Sequence, residues 1–305
     1  MALKASPIGR SHVATTLERI VRKVYFDEYD KRGNQYDALF NIAGMDKQTV
    51  TDVVQAGVGQ FQLQAEGGPW NYDTGQEAWN RTYTALEYSL GIQMTRVMIE
   101  DELYGFAKKI GGNLGRAAAY TREVLAATLF NSLSATVYTA ESTAYTLLST
   151  THFLVTGDTW SNRPATSVDL SNEALESALA AFRTNMVDQR GLKQNISPRW
   201  LVVGPQDEFL GARILESDKR QGTADNDINA IARRRNLELF VWDFLTDDTR
   251  WFLVAEKGDT AITWLNRRAT RMDRFDDTAN GNVNMVGSFR SASGATHVGG
   301  VYGSP

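Results

Sequence analysis

Cysteine is absent from the 305 residues. That removes disulfide frameworks, thiol nucleophiles and thiolate metal sites together, and it fits a chain made and used in a reducing cytosol. Histidine occurs three times, as His12, His152 and His297, far apart and with no partner at metal-ligand spacing. No run approaches the roughly 20 apolar residues of a membrane span, and Met1 to Arg10 lacks the apolar core of a signal peptide. Basic residues are not in excess. The net charge of −4 argues against a dedicated nucleic-acid binder. The phosphate-binding Gly-x-x-x-x-Gly-Lys run, the His-Glu-x-x-His helix and the Gly-x-Ser-x-Gly elbow are all missing. Gly57-Val58-Gly59 begins a dinucleotide fingerprint but has no third glycine. Lysine is missing between Lys47 and Lys108.

What is present centres on Ile99 to Ser134. Ile99, Leu103, Phe106, Ile110, Leu114 and Ala117 recur at steps of three and four, and the stripe continues through Leu125, Leu129 and Leu133. That is one face of a helix. Glu100, Asp101 and Glu102 load its expected first turn with negative charge, and Lys108, Lys109, Arg116 and Arg122 wet the other face. At about 1.5 Å per residue such a helix is roughly 50 Å long, a spar across the molecule. Gly105, Gly111, Gly112 and Gly115 weaken it by about 1 kcal/mol each relative to Ala. They mark either a kink near Gly111 or a place where another backbone comes close.

Before the spar, Val13, Leu17, Ile20, Val21 and Val24 repeat at helical spacing behind Ser11, a plausible N-cap. A polar connector follows at Asp27 to Asn34. This helix either packs on its own domain or lies as an arm on a neighbouring subunit. Thr49 to Met94 has strand periodicity instead. Phe61, Leu63 and Ala65 alternate with glutamines, and Thr82, Thr84, Leu86, Tyr88 and Leu90 alternate after a turn-rich break. The pattern predicts a long hairpin with its tip around Gly67 to Ala78. A two-stranded hairpin is marginal alone in water, so Trp70, Tyr72 and Trp79 belong either to the chain's own core or to a contact with another chain.

Behind the spar, Ser171 opens a helix carrying Ala174, Leu175, Leu179 and Phe182 on one face and ending near Gly191. Trp200 to Val203 reads as a short buried strand stopped by Gly204-Pro205. A helix through Phe209 to Leu215 follows, then strands at Leu237 to Val241, Trp251 to Ala255 and Ile262 to Leu265. Gly287 to Pro305 is rich in Gly and Ser. It is either disordered or a last strand using Phe289, Val298, Val301 and Tyr302. The alternation is α+β in character. Asp225-Asn226-Asp227-Ile228-Asn229 resembles half a calcium loop, but Ala230 and Asn236 occupy the positions of the required glycine and glutamate. Turn and cap chemistry explains it better. Asp273, Asp276 and Asp277 with Arg271 and Arg274 form a mixed-charge face, and Arg233-Arg234-Arg235 suits surface or intersubunit pairing.

Several stretches, in shared order, resemble the major head (capsid) subunits of Mu-like phages and prophages. They include Glu66-Gly67 with Tyr72-Asp73, Leu90-Gly91-Ile92 with Thr95-Arg96, and Glu100-Asp101-Glu102-Leu103-Tyr104. Leu114-Gly115-Arg116, Thr121-Arg122-Glu123, Leu148-Ser149-Thr150-Thr151-His152 and Arg190-Gly191-Leu192-Lys193 continue the series. Gly222 to Asn229, Trp251-Phe252 and Tyr302-Gly303-Ser304 complete it. The resemblance implies the HK97-like tailed-phage capsid fold. Its parts would be an N-terminal arm (1–48), an extended E-loop hairpin and base (49–95), a peripheral domain with the spine helix (96–134), an axial domain (135–266) and peripheral return strands with the C-terminus (267–305). It implies a non-enzymatic shell subunit that assembles with itself into hexamers and pentamers, without cofactor, metal or membrane.

Portal and scaffolding proteins, a decoration protein and non-specifically held DNA are the further partners the resemblance implies. The place would be the virion, after assembly in the bacterial host cytoplasm. Intersubunit contacts are expected from Trp70, Tyr72, Trp79, Arg81, Asp225, Asp227, Arg233 and Arg234. Some capsids of this fold cross-link through an E-loop lysine; with none between Lys47 and Lys108, no such isopeptide is expected here. The competing expectations are a tail or tube subunit and a metal-dependent hydrolase using Asp225, Asp227 and His152.

Overall fold

A computed structural model describes residues 10–101, 104–219, 228–232, 236–277 and 280–305. Two helices and a four-stranded sheet build one side of the molecule. Helix α1 is Arg10–Lys31. Ser11 therefore lies inside it rather than capping it, and the helix runs through most of the expected polar connector. Strand β1 is Asn41–Gly44, β2 Thr49–Gln55, β3 Glu77–Thr84 and β4 Leu86–Met94. A short helix α2 (Arg96–Glu100) precedes the spine helix α3, Tyr104–Asn131. At 28 residues α3 is about 42 Å long. It is shorter than the expected single helix from 99 to 134, and Glu100 and Asp101 precede it instead of loading its first turn.

The spine helix is continuous through Gly111, Gly112 and Gly115, so these glycines do not break it. They let α1 approach. A methyl group on Gly111 would stand 2.6 Å from Val21 Cγ1, and one on Gly115 would overlap the Tyr25 carbonyl oxygen. Gly112 has ordinary room, with Glu28 Cγ 3.4 Å away. The seam is tied at its edge by Arg116 Nε to Glu28 Oε2, 2.9 Å. Val21 and Tyr25 join Ala107, Leu114, Met272, Val283 and Met285 in a core between both helices and the sheet. The arm helix thus packs on its own chain.

Strand β12 is Ile262–Asp276 and β13 is Val283–Ala295. The sheet order is β1-β12-β13-β4, with β1 parallel to β12 and the other pairs antiparallel. Residues 283–295, all but the first four of them in the tail left open between disorder and a strand, form a 13-residue strand bonded on both sides. Their small side chains are what packing requires there: Gly287 lies against the Tyr25 ring and Gly294 against the Tyr83 ring. Strand β12 carries the mixed-charge stretch to Asp276, with Arg271 and Asp273 paired at 2.8 Å.

The second half is a sheet of order β10-β9-β11-β14, flanked by α4 (Asn172–Asn185) and α5 (Glu208–Glu216). Its strands are β9 (Pro198–Val203), β10 (Glu238–Val241), β11 (Trp251–Ala255) and β14 (Val301–Ser304). Ser171 caps α4, its Oγ accepting from Ala174 N at 3.1 Å. Helix α4 stops at Asn185, short of Gly191, which sits at φ +77° in a separate turn. The chain's last strand pairs with β11, not with β13.

Glu123, next to Arg122 on α3, joins the two halves. Both are buried. Arg122 donates to the Tyr29 hydroxyl and to Asn266 Oδ1 (3.2 Å), and its guanidinium lies 5.3 Å from the Trp264 ring and 5.7 Å from the Tyr36 ring. Glu123 accepts from Tyr36 N (3.4 Å) and Trp242 Nε1 (3.2 Å), while burial pushes its carboxyl above the usual carboxylate range.

Candidate functional site

The hairpin of β2 and β3 stands on the sheet of β12 and β13, and its two ends behave differently. Pairing runs from Thr49↔Thr84 to Gln55↔Glu77. The expected strand at 61–65 is not formed. Its alternation is real, but no partner strand or apolar surface meets it, and all five residues are exposed. The second strand is also divided. Residues 77–84 serve the hairpin, and after Ala85 the chain enters the sheet as β4.

Thr296 clasps the base. Its Oγ1 donates to Asp52 Oδ2 at 2.7 Å, so the 2.8 Å bond to the Tyr83 hydroxyl has Tyr83 as donor. Trp79 Nε1 donates to the Thr296 carbonyl at 3.0 Å. One residue therefore holds both strands. The Trp79 ring stacks on Tyr138 with centroids 4.2 Å apart. Tyr138 belongs to the β5–β6 ribbon (Tyr138–Ala140 and Thr143–Tyr145). Trp79 thus fills the chain's own core and is not available to a neighbour. Arg81 is partly exposed, with its guanidinium 5.8 Å from the Tyr83 ring.

Beneath this stack sits His152, fully buried on the short β7–β8 ribbon (His152–Phe153 and Thr159–Trp160). Its Nδ1 is 3.0 Å from the Tyr138 hydroxyl and its Nε2 is 2.9 Å from Asn162 Oδ1. Asn162 Nδ2 donates to the Leu147 carbonyl and its Oδ1 accepts from Ser149 N. That orientation makes Nε2 the protonated nitrogen and Nδ1 an acceptor. Burial holds the imidazole pKa down to about 4. Both nitrogens are used, so His152 is no metal ligand. That removes the one histidine of the hydrolase expectation. Among the described residues no three acidic or imidazole groups come together as a metal site.

Beyond the last rung, closed by Ala56 N to Gln76 O at 2.8 Å, the chain makes a long excursion. Gly57 and Gly67 adopt φ of +75° and +73°, which glycine permits. Gln64 Nε2 donates to the Gly68 and Pro69 carbonyls at 2.8 and 3.0 Å, holding the tip turn. Lower down, Asp73 Oδ2 accepts from Gly59 N at 2.6 Å, joining the two limbs. Phe61, Leu63, Trp70 and Tyr72 are all exposed, Trp70 at 77% against 6% for Trp79. The tip therefore presents four large apolar side chains with no shelter in their own chain.

Asp225, Asp227, Arg233 and Arg234 lie outside the described residues. The ends of the first segment are held together: Lys219 bridges to Ile228, and Asn229 Nδ2 donates to the Ile214 and Ser217 carbonyls at 2.7 and 2.9 Å. Thr296, Asp73 and Arg190 were not singled out from sequence. Asp73 and Arg190 fall within the quoted family stretches, but nothing in their spacing joins residues so far apart.

Residues 79–302 match the family described as phage capsid protein. No curated protein sequence matches the chain. Among solved structures, the chain resembles the capsid of an empty GTA particle (TM-score 0.57, 13% identity, 88% of each chain covered). It also resembles a virus-like particle from Pyrococcus furiosus (TM-score 0.54, 11% identity, 94% of this chain and 98% of that one). The procapsid subunit of bacteriophage JBD30 gives a TM-score of 0.54 at 12% identity, over 97% of this chain and 76% of that one. No helix among the described residues is long and apolar enough to cross a membrane. The chain belongs to the phage capsid protein family: it is a structural subunit of a capsid shell with the HK97-like fold, and not an enzyme.

Proposed function

We propose that the excursion at residues 57–75 is the E-loop and that it docks on an adjacent copy of the chain, so that repetition closes hexamers and pentamers. The observation carrying this is the exposed set Phe61, Leu63, Trp70 and Tyr72 on a hairpin whose base is fully packed. Monomers seldom leave such a group open without a partner. One patch meeting a different patch on the next copy is a heterologous contact, and such contacts close into rings.

On this reading α3 with the sheet β1-β12-β13-β4 is the peripheral body. The sheet β10-β9-β11-β14 with α4 and α5 is the axial body. The sequence stretches shared with Mu-like head subunits support that subgroup. Portal and scaffolding proteins, a decoration protein and non-specifically held DNA are the partners this role calls for, with assembly in the host cytoplasm. Docking is non-covalent as far as lysine is concerned, since the loop has none. Covalent ladders mapped to residues 49–95 would contradict that.

The test is electron microscopy of the purified protein with and without Trp70→Ala/Tyr72→Ala. Wild type forms closed shells or capsomers, and the double variant remains a folded, unassembled subunit. Unimpaired shells from the variant would overturn the docking role.

A further inference from the structure

The foot of the excursion is tied to a distant part of the same subunit. Arg190 Nη1 lies 3.1 Å from Asp73 Oδ1, and Nη2 donates to the Thr74 carbonyl at 2.6 Å. One guanidinium thus grips two neighbouring groups of the descending limb. Asp73 is itself a junction, because it also accepts from Gly59 N of the ascending limb and from Thr74 N. Together these donors hold its carboxyl below the usual carboxylate range, the backbone amides contributing most.

The gripping side is built rigidly. Asp188 Oδ1 accepts from Arg190 N (2.9 Å) and Leu192 N (2.8 Å), and Gly191 at φ +77° closes the turn. The Arg190 side chain is only 20% exposed. The loop foot also leans on this turn at Gly57, where a Cβ would lie 3.7 Å from Asp188 Oδ2.

An exposed ion pair alone stabilises a fold very little. This one differs in what it connects. The base below is already immobilised by Thr296, and the tip above is bonded only to itself. The Asp73–Arg190 junction is the last place where the subunit sets the direction of the tip. We propose that Arg190 is a positioning residue for assembly: its fork on Asp73 and Thr74 aims the apolar tip at the next copy while adding little to the stability of the subunit. This rests on the docking role of the loop. A planar fork reaches the two acceptors from two rigidly spaced nitrogens, whereas a lysine ammonium would have to serve both from a single nitrogen on a flexible stem.

The test uses the full chain with Arg190→Ala, Arg190→Lys and Trp70→Ala/Tyr72→Ala. Readouts are protease cleavage within residues 57–75 of the unassembled subunit, its unfolding temperature, and the rate and shape of assembly. Arg190→Ala should raise loop cleavage roughly three- to tenfold, as expected for losing a charge-assisted bond discounted for exposure. The unfolding temperature should stay near wild type, with assembly slowed and misshapen particles enriched. Arg190→Lys should restore part of both loop protection and particle shape.

Wild-type assembly by Arg190→Ala, while the Trp70/Tyr72 variant fails, would refute positioning and leave docking intact. Wild-type assembly by both would refute docking itself. A large fall in unfolding temperature for Arg190→Ala would make the residue structural and likewise overturn the proposal.

Discussion

Trp70 and Trp79 are nine positions apart in one hairpin and have opposite surroundings. Trp79 stacks on Tyr138 and bonds Thr296; Trp70 faces solvent. The base is a finished structure, with each buried polar atom of the clasp answered inside the chain. The tip is finished only in turn geometry, and its apolar side chains stay exposed. Side-chain chemistry alone does not separate the two. What separates them is whether the neighbouring strand carries a packed sheet behind it.

The sharpest way to break this contrast is to exchange large aromatics for alanine on both sides. Trp79→Ala should cost about 3–5 kcal/mol of stability by leaving a cavity and orphaning a carbonyl. Trp70→Ala should cost less than about 0.5 kcal/mol, being a surface change. Denaturant titration of the unassembled subunit measures both. Comparable losses would mean that the tip is sheltered in its own chain.

Acid should act next most strongly, chiefly on the base. His152 has a folded pKa of about 4 against an ordinary 6.5. Between those values the unfolded chain binds a proton that the folded chain refuses. Stability is therefore complete above pH 6.5 and falls as the pH drops towards 4, by about 3 kcal/mol for this group. Half-buried His297, also depressed by desolvation, acts in the same direction. His152→Gln should flatten the dependence, as unfolding at stepped pH would show.

Smaller effects come from the α1–α3 seam. Gly115→Ala should destabilise by about 1–3 kcal/mol, because the added methyl group meets backbone that cannot turn aside. Gly112→Ala has room and should stabilise by about 0.5–1 kcal/mol through helix propensity. Thermal unfolding separates them by sign. Of the two expectations for these glycines, a kink or the close approach of another backbone, the contacts with α1 bear out the second, graded along one helix face.

Much of the frame was legible. The three- and four-residue stripe located the spine, Ser171 located the cap of α4, and Trp200 to Val203 with its Gly-Pro stop located β9. Local rules failed where tertiary contact decides. Gly287 and Gly294 lie in a stretch whose sequence leaves disorder and a strand both open, because small residues are read as flexible, yet Tyr25 and Tyr83 need that space. Phe61 to Ala65 had the period of a strand without a surface to pair with. At the candidate site the exposed aromatics were visible in sequence, but the clasp at Thr296 and the grip of Arg190 were not. Both join residues more than a hundred positions apart, for which one sequence carries no signal.

The strand pairings also constrain the timing of folding. Residues 41–44 wait for 263–266 to complete the first sheet, and residues 251–254 wait for 301–304 to complete the second. Ser304 further supplies the acceptor for Val168 N. Such non-local closure makes folding slow compared with helical bundles. At 5–20 residues per second, synthesis to residue 304 takes roughly 15–60 s, during which the nascent chain cannot complete either sheet. The apolar tip, local in sequence, is made early in that interval. A ribosome-bound chain thus exposes Phe61, Leu63, Trp70 and Tyr72 before either sheet is complete. Apolar surface on an unfinished chain is prone to premature association, a hazard this topology creates.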